Sequence, residues 1–390
     1  MPVTVGVPRE TFPGERRVAI VPRHAEALRK CGVELLIEHG AGTEAGLPDE
    51  IYTARGVRCV ERSDLFREAQ IIVQVRTLGA NPDHGRADLP LFRPRHALLG
   101  FGEPLTALKE ANDLAGRGVS FCALELMPRI TRAQSMDALS SMATIAGYRA
   151  VLLAATHLPK LFPMLMTAAG TITPAKAFVL GAGVAGLQAI ATARRLGAVV
   201  CAYDVRPAVK EQVESVGAKF VTLEVDAQNS QDKGGYAKAM DEAFYRRQRE
   251  LMTDVLREQD VVITTAAVPG RKSPILITRE MVDAMQPGSV IVDIAAERGG
   301  NCELTRAGEV VSHRGVKILG PVNIPSDAPF HASQLLSSNI TAFLKLIVAG
   351  GALSLNTDDE IIRETLVTHD GKIVHTRISE LLAAESAVTA

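Results

Sequence analysis

The sequence predicts an α/β protein with two doubly wound parallel sheets, and three observations support this fold class. Short β-branched runs alternate with helical patterns over the first third of the chain. A second series of the same kind begins near residue 176. Such alternation is typical of βαβ units, in which helices cover a parallel sheet. At 390 residues and 47% hydrophobic content, the chain can form two packed domains.

The predicted strands are short and apolar, and a helical segment separates the two series. The first series comprises Val3–Val7, Val33–Glu38, Ile71–Val75, Ala97–Phe101 and Val119–Leu124. The second comprises Lys176–Leu180, Val199–Tyr203, Lys219–Val221, Val261–Thr265, Val290–Ile294 and Lys317–Leu319. Tyr148–His157, which is rich in alanine, is the helix between them, and an apolar helix after Phe330 is expected to cross back to the first domain. The predicted domains are therefore residues 1–137 with 330–390, and residues 138–329.

Charge and cysteine content exclude several classes of protein. The net charge is −1 and no block of like charge occurs, so no nucleic-acid partner is expected. The N-terminal run MPVTVGVPRE lacks the features of a signal peptide, which favours the cytoplasm. Ala332–Thr357 is apolar but contains polar residues, and we expect a buried helix there. Neither disulfides nor a metal site is expected, since the cysteines are scattered and never spaced C-x-x-C. They are Cys31, Cys59, Cys122, Cys201 and Cys302.

A glycine-rich turn follows the predicted strand Lys176–Leu180. Its sequence, GAGVAG, places Gly181, Gly183 and Gly186 in the G-x-G-x-x-G spacing, and a helical pattern follows. Gly181 permits a tight turn, Gly183 leaves room for a pyrophosphate, and Gly186 lets the helix pack closely on the strand. Free N–H groups at the helix N-terminus attract phosphate. The order of strand, turn and helix predicts a Rossmann-like dinucleotide site.

An acidic residue at the end of the next strand indicates which dinucleotide is bound. Asp204 lies about 20 residues beyond the glycines, where a carboxylate accepts hydrogen bonds from ribose hydroxyls. Because it would repel a 2′-phosphate, NAD(H) is predicted rather than NADP(H). Arg206 could accommodate such a phosphate, but we expect it to lie over the adenine or to pair with a neighbouring acid. The predicted nucleotide-binding residues here are Gly181, Ala182, Gly183, Val184, Gly186, Asp204, Val205 and Arg206.

The histidines show no pattern typical of a dehydrogenase that acts on alcohols or amines. Such enzymes need an acid or base beside the carbon that gives or takes hydride. None of the 9 histidines occurs in a pattern that ties it to a carboxylate partner. Hydride exchange between two nicotinamides moves no proton at either ring, so it requires positioning only.

Four longer segments carry a more specific signal than the glycine spacing. They are residues 123–151, beginning ALELMPRITRAQSMDALS; residues 165–220, beginning LMTAAGTITPAKAFVLGAG; residues 234–240, GGYAKAM; and residues 287–303, beginning PGSVIVDIAAERGGN. Through them nearly the whole chain resembles the NAD(H)-binding component of proton-translocating transhydrogenase, a family related to alanine dehydrogenase. The resemblance implies two Rossmann-like domains with NAD(H) in the cleft between them.

The resemblance also implies partners and a location. The chain would form a homodimer and dock onto an NADP(H)-binding beta subunit and a membrane-spanning, proton-conducting subunit. It would exchange hydride between its own NAD(H) and the partner's NADP(H), coupled to proton translocation. With no membrane span of its own expected, it would be peripheral on the inner face of the cell membrane.

Individual positions match functional residues of the resembled family. The run RITRAQSMDALS resembles a loop that closes over the nicotinamide, and Gln134 would also reach toward the second nucleotide. A solvated loop followed by a helix cap is the alternative reading of this run. The polar residues that hold the dihydronicotinamide ring and ribose are matched by Arg129, Gln134, Asp137 and Ser140. A mobile loop tip and further positions lining the nucleotide cleft are matched by Gly235, Tyr236, Gln248 and Ala267.

Two departures separate this chain from alanine dehydrogenase. The lysine and the histidine that bind and protonate the oxo acid in that enzyme are matched by Gln74 and Phe101. Arg17 matches the arginine that takes the substrate carboxylate. Since an amide and a phenyl ring cannot supply a proton, oxo-acid chemistry is disfavoured. An alanine dehydrogenase-like enzyme and a non-catalytic NAD-binding module remain the alternative functions.

Overall fold

The structure, a computed structural model, describes residues 2–222, 242–267 and 270–389. The chain separates into two compact units: the first is Met1–Met142 with Ser326–Ala390, and the second is Ala143–Pro325. The first boundary falls inside a helix that begins at Ala138, whereas it was predicted at the start of that helix. The second boundary falls a few residues before the predicted position, Phe330.

The described residues of the chain form the following regular elements. The strands are β1 Val3–Val7, β2 Val33–Glu38, β3 Arg58–Val60, β4 Ile71–Arg76, β5 Ala97–Phe101, β6 Ser120–Ala123, β7 Leu165–Thr167, β8 Gly170–Ile172, β9 Lys176–Leu180, β10 Val199–Tyr203, β11 Lys219–Phe220, β12 Val261–Thr264, β13 Val290–Asp293, β14 Val310–His313, β15 Val316–Leu319, β16 Val348–Ala349, β17 Ala352–Leu353, β18 Leu366–His369 and β19 Lys372–Ile373. The α-helices are α1 Ala25–Lys30, α2 Asp49–Thr53, α3 Arg62–Glu68, α4 Leu108–Gly116, α5 Ala138–His157, α6 Val184–Arg195, α7 Lys210–Ser215, α8 Glu242–Arg257, α9 Arg279–Asp283, α10 Pro329–Ile347, α11 Glu360–Thr365 and α12 Thr376–Thr389.

The first unit is built on a sheet with the strand order β19-β18-β6-β5-β4-β1-β2-β3. Strands β1 to β6 are parallel, while β18 and β19 add an antiparallel edge. The five predicted strands of this unit are confirmed within a residue or so at each end. Strands β3, β18 and β19 were not predicted. All three lie toward the edges of the sheet, where a strand needs no continuous apolar run.

The second unit is built on a sheet with the strand order β11-β10-β9-β12-β13-β15-β14. All neighbours are parallel except β14, which pairs antiparallel with β15. The order reverses between β9 and β12. In doubly wound sheets, ligands bind outside the carboxyl ends of the strands at this switch point. The glycine-rich turn that follows β9 lies at that edge.

Both faces of the second sheet are buried, which explains the continuous apolar runs of its strands. Successive residues of β9 point to opposite faces. Ala177 and Val179 belong to a core that includes residues of α5 and α6, whereas Phe178 and Leu180 belong to a second core with residues of α8 and α9. This double cover is the doubly wound arrangement that the sequence predicts.

Helix α10 belongs to the first unit and corrects one prediction. A single helix was expected over Ala332–Thr357, but α10 ends at Ile347 and the chain then forms the β16–β17 hairpin. The physical reason is the glycine pair that follows, because Gly350 and Gly351 adopt φ values of 61° and 77°. Side-chain hydroxyls of α10 accept hydrogen bonds from the backbone N–H groups of Val18 and Val21, at 3.0 Å each.

One helix among the described residues, α5, is long and apolar enough by composition to cross a membrane. Core helices of soluble domains have the same properties. The helix contributes several buried residues to the core of the second unit, including Ala150, Val151 and Ala154.

Candidate functional site

The glycine turn of the second unit shows a physical reason for each of its three glycines. Gly181 adopts φ 98°, and a Cβ atom there would lie 2.5 Å from Thr265 Oγ1. A Cβ atom on Gly186 would lie 1.9 Å from the carbonyl oxygen of Gly181. At Gly183 a Cβ atom would meet nothing within 4 Å. Two glycines therefore allow close packing, and the third borders open space at the N-terminus of α6.

Asp204 lies directly beside this turn. It is 8% exposed at the end of β10, and its Oδ2 atom accepts the backbone N–H of Ala182 at 2.7 Å. Arg206 pairs with the same carboxylate through its backbone N–H, Nε and Nη2, at 2.8 to 2.9 Å. The expected pairing of Arg206 with a neighbouring acid is thus confirmed. Asp204 orders the glycine turn as well as offering a negative charge next to it.

A buried carboxylate that was not predicted from the sequence supports the neighbouring strand end. Asp293, the last residue of β13, is completely buried, and five donors surround it. The donors are the hydroxyls of Thr264 at 3.0 Å and Thr305 at 2.6 Å, and the backbone N–H groups of Ala295 at 3.1 Å, Asn301 at 2.7 Å and Cys302 at 2.9 Å. The structure thereby fixes the loop between β13 and β14 to the end of β12.

Asn301 passes this constraint on to the switch point. Its side-chain amide donates to the carbonyl oxygens of Ala266 and Pro274 and accepts the N–H of Ala266, at 2.8 to 3.0 Å. The hydroxyl of the preceding residue, Thr265, donates to the Gly181 carbonyl at 3.1 Å. A continuous set of hydrogen bonds therefore runs from Asp293 to the glycine turn. The signal for it in the sequence is the acid that ends a predicted strand in IVDIAAERGGN.

The predicted nicotinamide loop belongs to the first unit and is anchored on both sides. It forms a short 3-10 helix, Thr131–Met136, which buries Ala133 completely. The amide of Asn339 on α10 donates to the carbonyl of Ser135 at 2.9 Å. Arg132 makes two hydrogen bonds to Asp359 at 2.7 and 2.8 Å. These contacts hold the backbone of the loop, while the side chain of Gln134 is exposed.

The other polar residues of this loop have different environments. Arg129 is exposed, whereas Asp137 and Ser140 are half-buried. Asp137 accepts the backbone N–H of Ser140 at 2.9 Å and its hydroxyl at 2.5 Å, which is a cap at the start of α5. The helix cap that was the alternative reading of this run is therefore present. A capping role does not remove a binding role, because each carboxylate oxygen can accept more than one bond.

The remaining predicted positions are only partly within the described chain. Val184 and Ala267 are exposed and Val205 is half-buried. Gly235 and Tyr236 lie outside the described residues, and so does the side chain of Gln248. The structure thus brings together the glycine turn, Asp204 and Arg206 in the second unit, and Arg129 to Ser140 in the first.

The positions matched to the substrate groups of alanine dehydrogenase are occupied by internal contacts. Gln74 is 5% exposed and donates to Asp88 at 3.1 Å. Arg17 is buried and pairs with Glu15 through Nε at 2.7 Å and Nη2 at 2.6 Å. Burial opposes ionisation of Glu15, but the charge and hydrogen bonds of Arg17 outweigh it and lower the pKa of Glu15 to about 2. This ion pair is a stable internal feature of the first unit.

A further carboxyl group near these positions has the opposite behaviour. Glu10 accepts the backbone N–H groups of Val75 and Arg76, at 2.6 and 3.1 Å, where β4 ends. Desolvation, followed by repulsion from Glu15, raises the pKa of Glu10 to about 8. Its two oxygens are committed to the strand end, which indicates a structural role.

Comparisons with known proteins cover both units. The profile of the alanine dehydrogenase/PNT N-terminal domain matches residues 6–146, and that of the C-terminal domain matches residues 150–376. An NAD(P) transhydrogenase subunit alpha chain of Rhodospirillum rubrum is 44% identical over 375 residues, which are 95% of this chain and 97% of the relative. Alanine dehydrogenase of Bacillus subtilis is 28% identical, over 98% of this chain and 95% of the relative. The crystal structure of transhydrogenase from Sinorhizobium meliloti is 42% identical with a TM-score of 0.83, over 96% of this chain and 99% of that one.

Proposed function

This chain belongs to the alanine dehydrogenase/PNT family, and from that we propose that it is the NAD(H)-binding alpha subunit of a proton-translocating NAD(P) transhydrogenase. As an oxidoreductase, it exchanges hydride between NAD(H) in its own site and NADP(H) on a partner subunit. The observation that carries the proposal is the full-length similarity to a transhydrogenase alpha chain, at 44% identity, against 28% to alanine dehydrogenase.

The residues of the second unit fit a bound NAD(H). The open space at Gly183 and the free N–H groups at the start of α6 suit a pyrophosphate. Asp204 suits the ribose hydroxyls once Arg206 exchanges its bonds with the nucleotide. The hydrogen bonds from Asp293 through Asn301 hold the opposite wall of the turn. These contacts position the dinucleotide without contributing a proton donor.

The residues of the first unit fit the task of placing the reactive ring. The nicotinamide carries the hydride, and the protein supplies orientation and excludes competing reactions. Arg129, Gln134, Asp137 and Ser140 hold the ring and its ribose. The anchors through Arg132 and Asn339 keep the loop backbone in place, so that Gln134 acts from a rigid support.

Assembly with partners follows from the same proposal. The beta subunit contributes the NADP(H) site, and a membrane-spanning subunit conducts protons. The alpha chain is then cytoplasmic and peripheral on the inner face of the membrane, held there by its partners.

The decisive experiment compares the lone chain with the mixed subunits. NADH should bind to the lone chain, but no turnover should occur with alanine, or with pyruvate and ammonia, because Gln74 and Phe101 supply no proton donor. Transfer to an NADP analogue should begin when the NADP(H)-binding partner is added. Pyruvate-dependent oxidation of NADH by the lone chain would instead support an alanine dehydrogenase. Binding of NADH without turnover in either assay would support a regulatory module.

Nucleotide choice provides the next prediction. NADH should bind more tightly than NADPH by about 1–3 kcal/mol, the scale of a charge-assisted hydrogen bond gained or lost. Asp204→Asn should shrink this preference, since it removes the charge that repels the 2′-phosphate and frees Arg206 from its ion pair. Fluorescence titration with both nucleotides measures the difference. Equal affinities for NADH and NADPH in the wild-type chain would contradict the role of Asp204.

Two glycine variants should separate folding from binding. Gly186→Ala should destabilise the second unit by about 1–3 kcal/mol, because its methyl group would overlap the Gly181 carbonyl at 1.9 Å. Gly183→Ala should leave stability nearly unchanged, since its Cβ meets open space, yet weaken NADH binding at least about tenfold, or 1.4 kcal/mol. Thermal melting and NADH titration together test the pair. Unchanged affinity in Gly183→Ala would place the pyrophosphate elsewhere.

A homodimer is expected from the hairpin of β7 and β8. Its apolar side chains are exposed, with Met166 at 77% and Met164 at 58%. An apolar patch of this kind on a monomer commonly marks a protein interface. Light scattering should give twice the chain mass of 41.6 kDa. Met166→Asp should shift the mass toward the monomer, whereas Val310→Asp, at another exposed apolar position, should not. A monomer at micromolar concentration for the wild-type chain would contradict the proposal.

A further inference from the structure

We propose that His39, Asp49 and Cys59 form a binding site for a zinc-like divalent cation on the first unit. The three residues lie at the edge of the sheet formed by β2 and β3. The site is separate from the nucleotide-binding residues, and its existence does not depend on the proposed function.

Three elements bring the ligand atoms together. His39 follows β2, Cys59 lies in the middle of β3, and Asp49 is the first residue of α2. One ligand atom from each residue lies within 4.8 Å of the other two. The closest pair is His39 Nδ1 and Asp49 Oδ2, at 2.9 Å. A nitrogen, an oxygen and a sulfur atom thus converge from positions that are distant in the sequence.

The separations are close to those of a metal site. Zinc bonds of about 2.0–2.1 Å to nitrogen, 2.0–2.2 Å to oxygen and 2.3 Å to sulfur place tetrahedral ligands roughly 3.2–3.7 Å apart. Atoms within 4.8 Å therefore need to approach by about 1 Å at most, which side-chain rotation can provide. No backbone movement is required.

Backbone contacts hold two of the ligands in register. The N–H of His39 donates to the Val60 carbonyl at 3.1 Å, extending the pairing of β2 with β3 that sets Ile37 opposite Cys59. The N–H of Gly40 donates to Asp49 Oδ1 at 2.9 Å, which leaves Oδ2 directed at His39. Orientation of a ligating carboxylate by a neighbouring donor is typical of metal sites.

Charge and ligand type indicate which cation fits. One carboxylate and one thiolate neutralise a divalent ion, and the imidazole binds in its neutral form. The thiol proton is released to solvent when the metal–sulfur bond forms. A mixed set of nitrogen, oxygen and sulfur ligands favours zinc-like ions over magnesium or calcium. Because the His39 side chain is 54% exposed, water can complete the coordination.

Cobalt provides a spectroscopic test on the intact chain. Titration with Co²⁺ should produce a sulfur-to-cobalt charge-transfer band that saturates at one ion per chain and disappears when Zn²⁺ is added. Cys59→Ser should abolish the band, and His39→Gln should weaken binding by more than about 100-fold, since even changes to residues that only orient a ligand cost 10–100-fold. Zn²⁺ should raise the melting temperature of the wild-type chain and not that of the variants.

Matched controls separate this site from other thiols and histidines. Cys31 is similarly half-exposed and His84 is exposed, and neither belongs to the cluster. Cys31→Ser and His84→Gln should leave the band and the affinity unchanged. A wild-type chain that shows no band, or a band that persists in Cys59→Ser, would overturn the proposal and leave His39 and Asp49 as a surface ion pair.

Discussion

Asp293→Ala is expected to destabilise the second unit by about 3–5 kcal/mol, the cost typical of leaving partners of a buried charged group unsatisfied. Five donors lose their acceptor at once, and three of them are backbone N–H groups that side-chain rotation cannot redirect. Each buried donor left unpaired costs about 1–3 kcal/mol, reduced where water can enter. Asp293→Asn should have a smaller effect, since it retains one acceptor oxygen.

Denaturant unfolding followed by circular dichroism measures this loss. Asp254→Ala is the matched control, because Asp254 is exposed on α8 and pairs only with Arg257 among the ion pairs found for it in the described chain. Its removal should change stability by less than about 1 kcal/mol. NADH affinity should also fall in Asp293→Ala, because Asn301 no longer holds Ala266. If Asp293→Ala unfolds at the same denaturant concentration as the wild type, the network does not stabilise the fold.

Gln134→Asn is expected to slow hydride transfer by about 100-fold while leaving NADH affinity nearly unchanged. The shorter side chain misplaces the two rings, and a misplacement of about 1 Å can cost a factor of 100 in rate. The backbone should not adjust to compensate, since Asn339 and Arg132 anchor the loop on both sides. Loss of rate with intact binding identifies an interaction made in the transition state.

Stopped-flow transfer between NADH and an NADP analogue, with both subunits present, measures the rate directly. Gln286→Asn is the matched control, because it shortens an exposed glutamine in the second unit by the same methylene group. Transfer at the wild-type rate in Gln134→Asn would remove Gln134 from the mechanism. A parallel loss of NADH affinity would show that Gln134 contributes to binding rather than to alignment.

The sequence by itself determined the features that depend on neighbouring residues. The turn of Gly181, Gly183 and Gly186 joins a strand to the helix that follows it, so its meaning is contained in one short segment. The parallel strands were equally clear, because burial on both faces requires continuous apolar runs. Asp204 could be predicted because the βαβ unit fixes its distance from the glycines.

Only the tertiary structure decided the features that depend on residues brought together from distant segments. Asp293 could not be predicted from the sequence because its donors come from the end of another strand and from a loop beyond it. The convergence of His39, Asp49 and Cys59 likewise depends on the pairing of β2 with β3. The end of α10 at Ile347 was decided by the backbone conformation of two glycines within an apolar run. In each case hydrogen bonds and packing between separate elements set the outcome, and local periodicity carries no record of them.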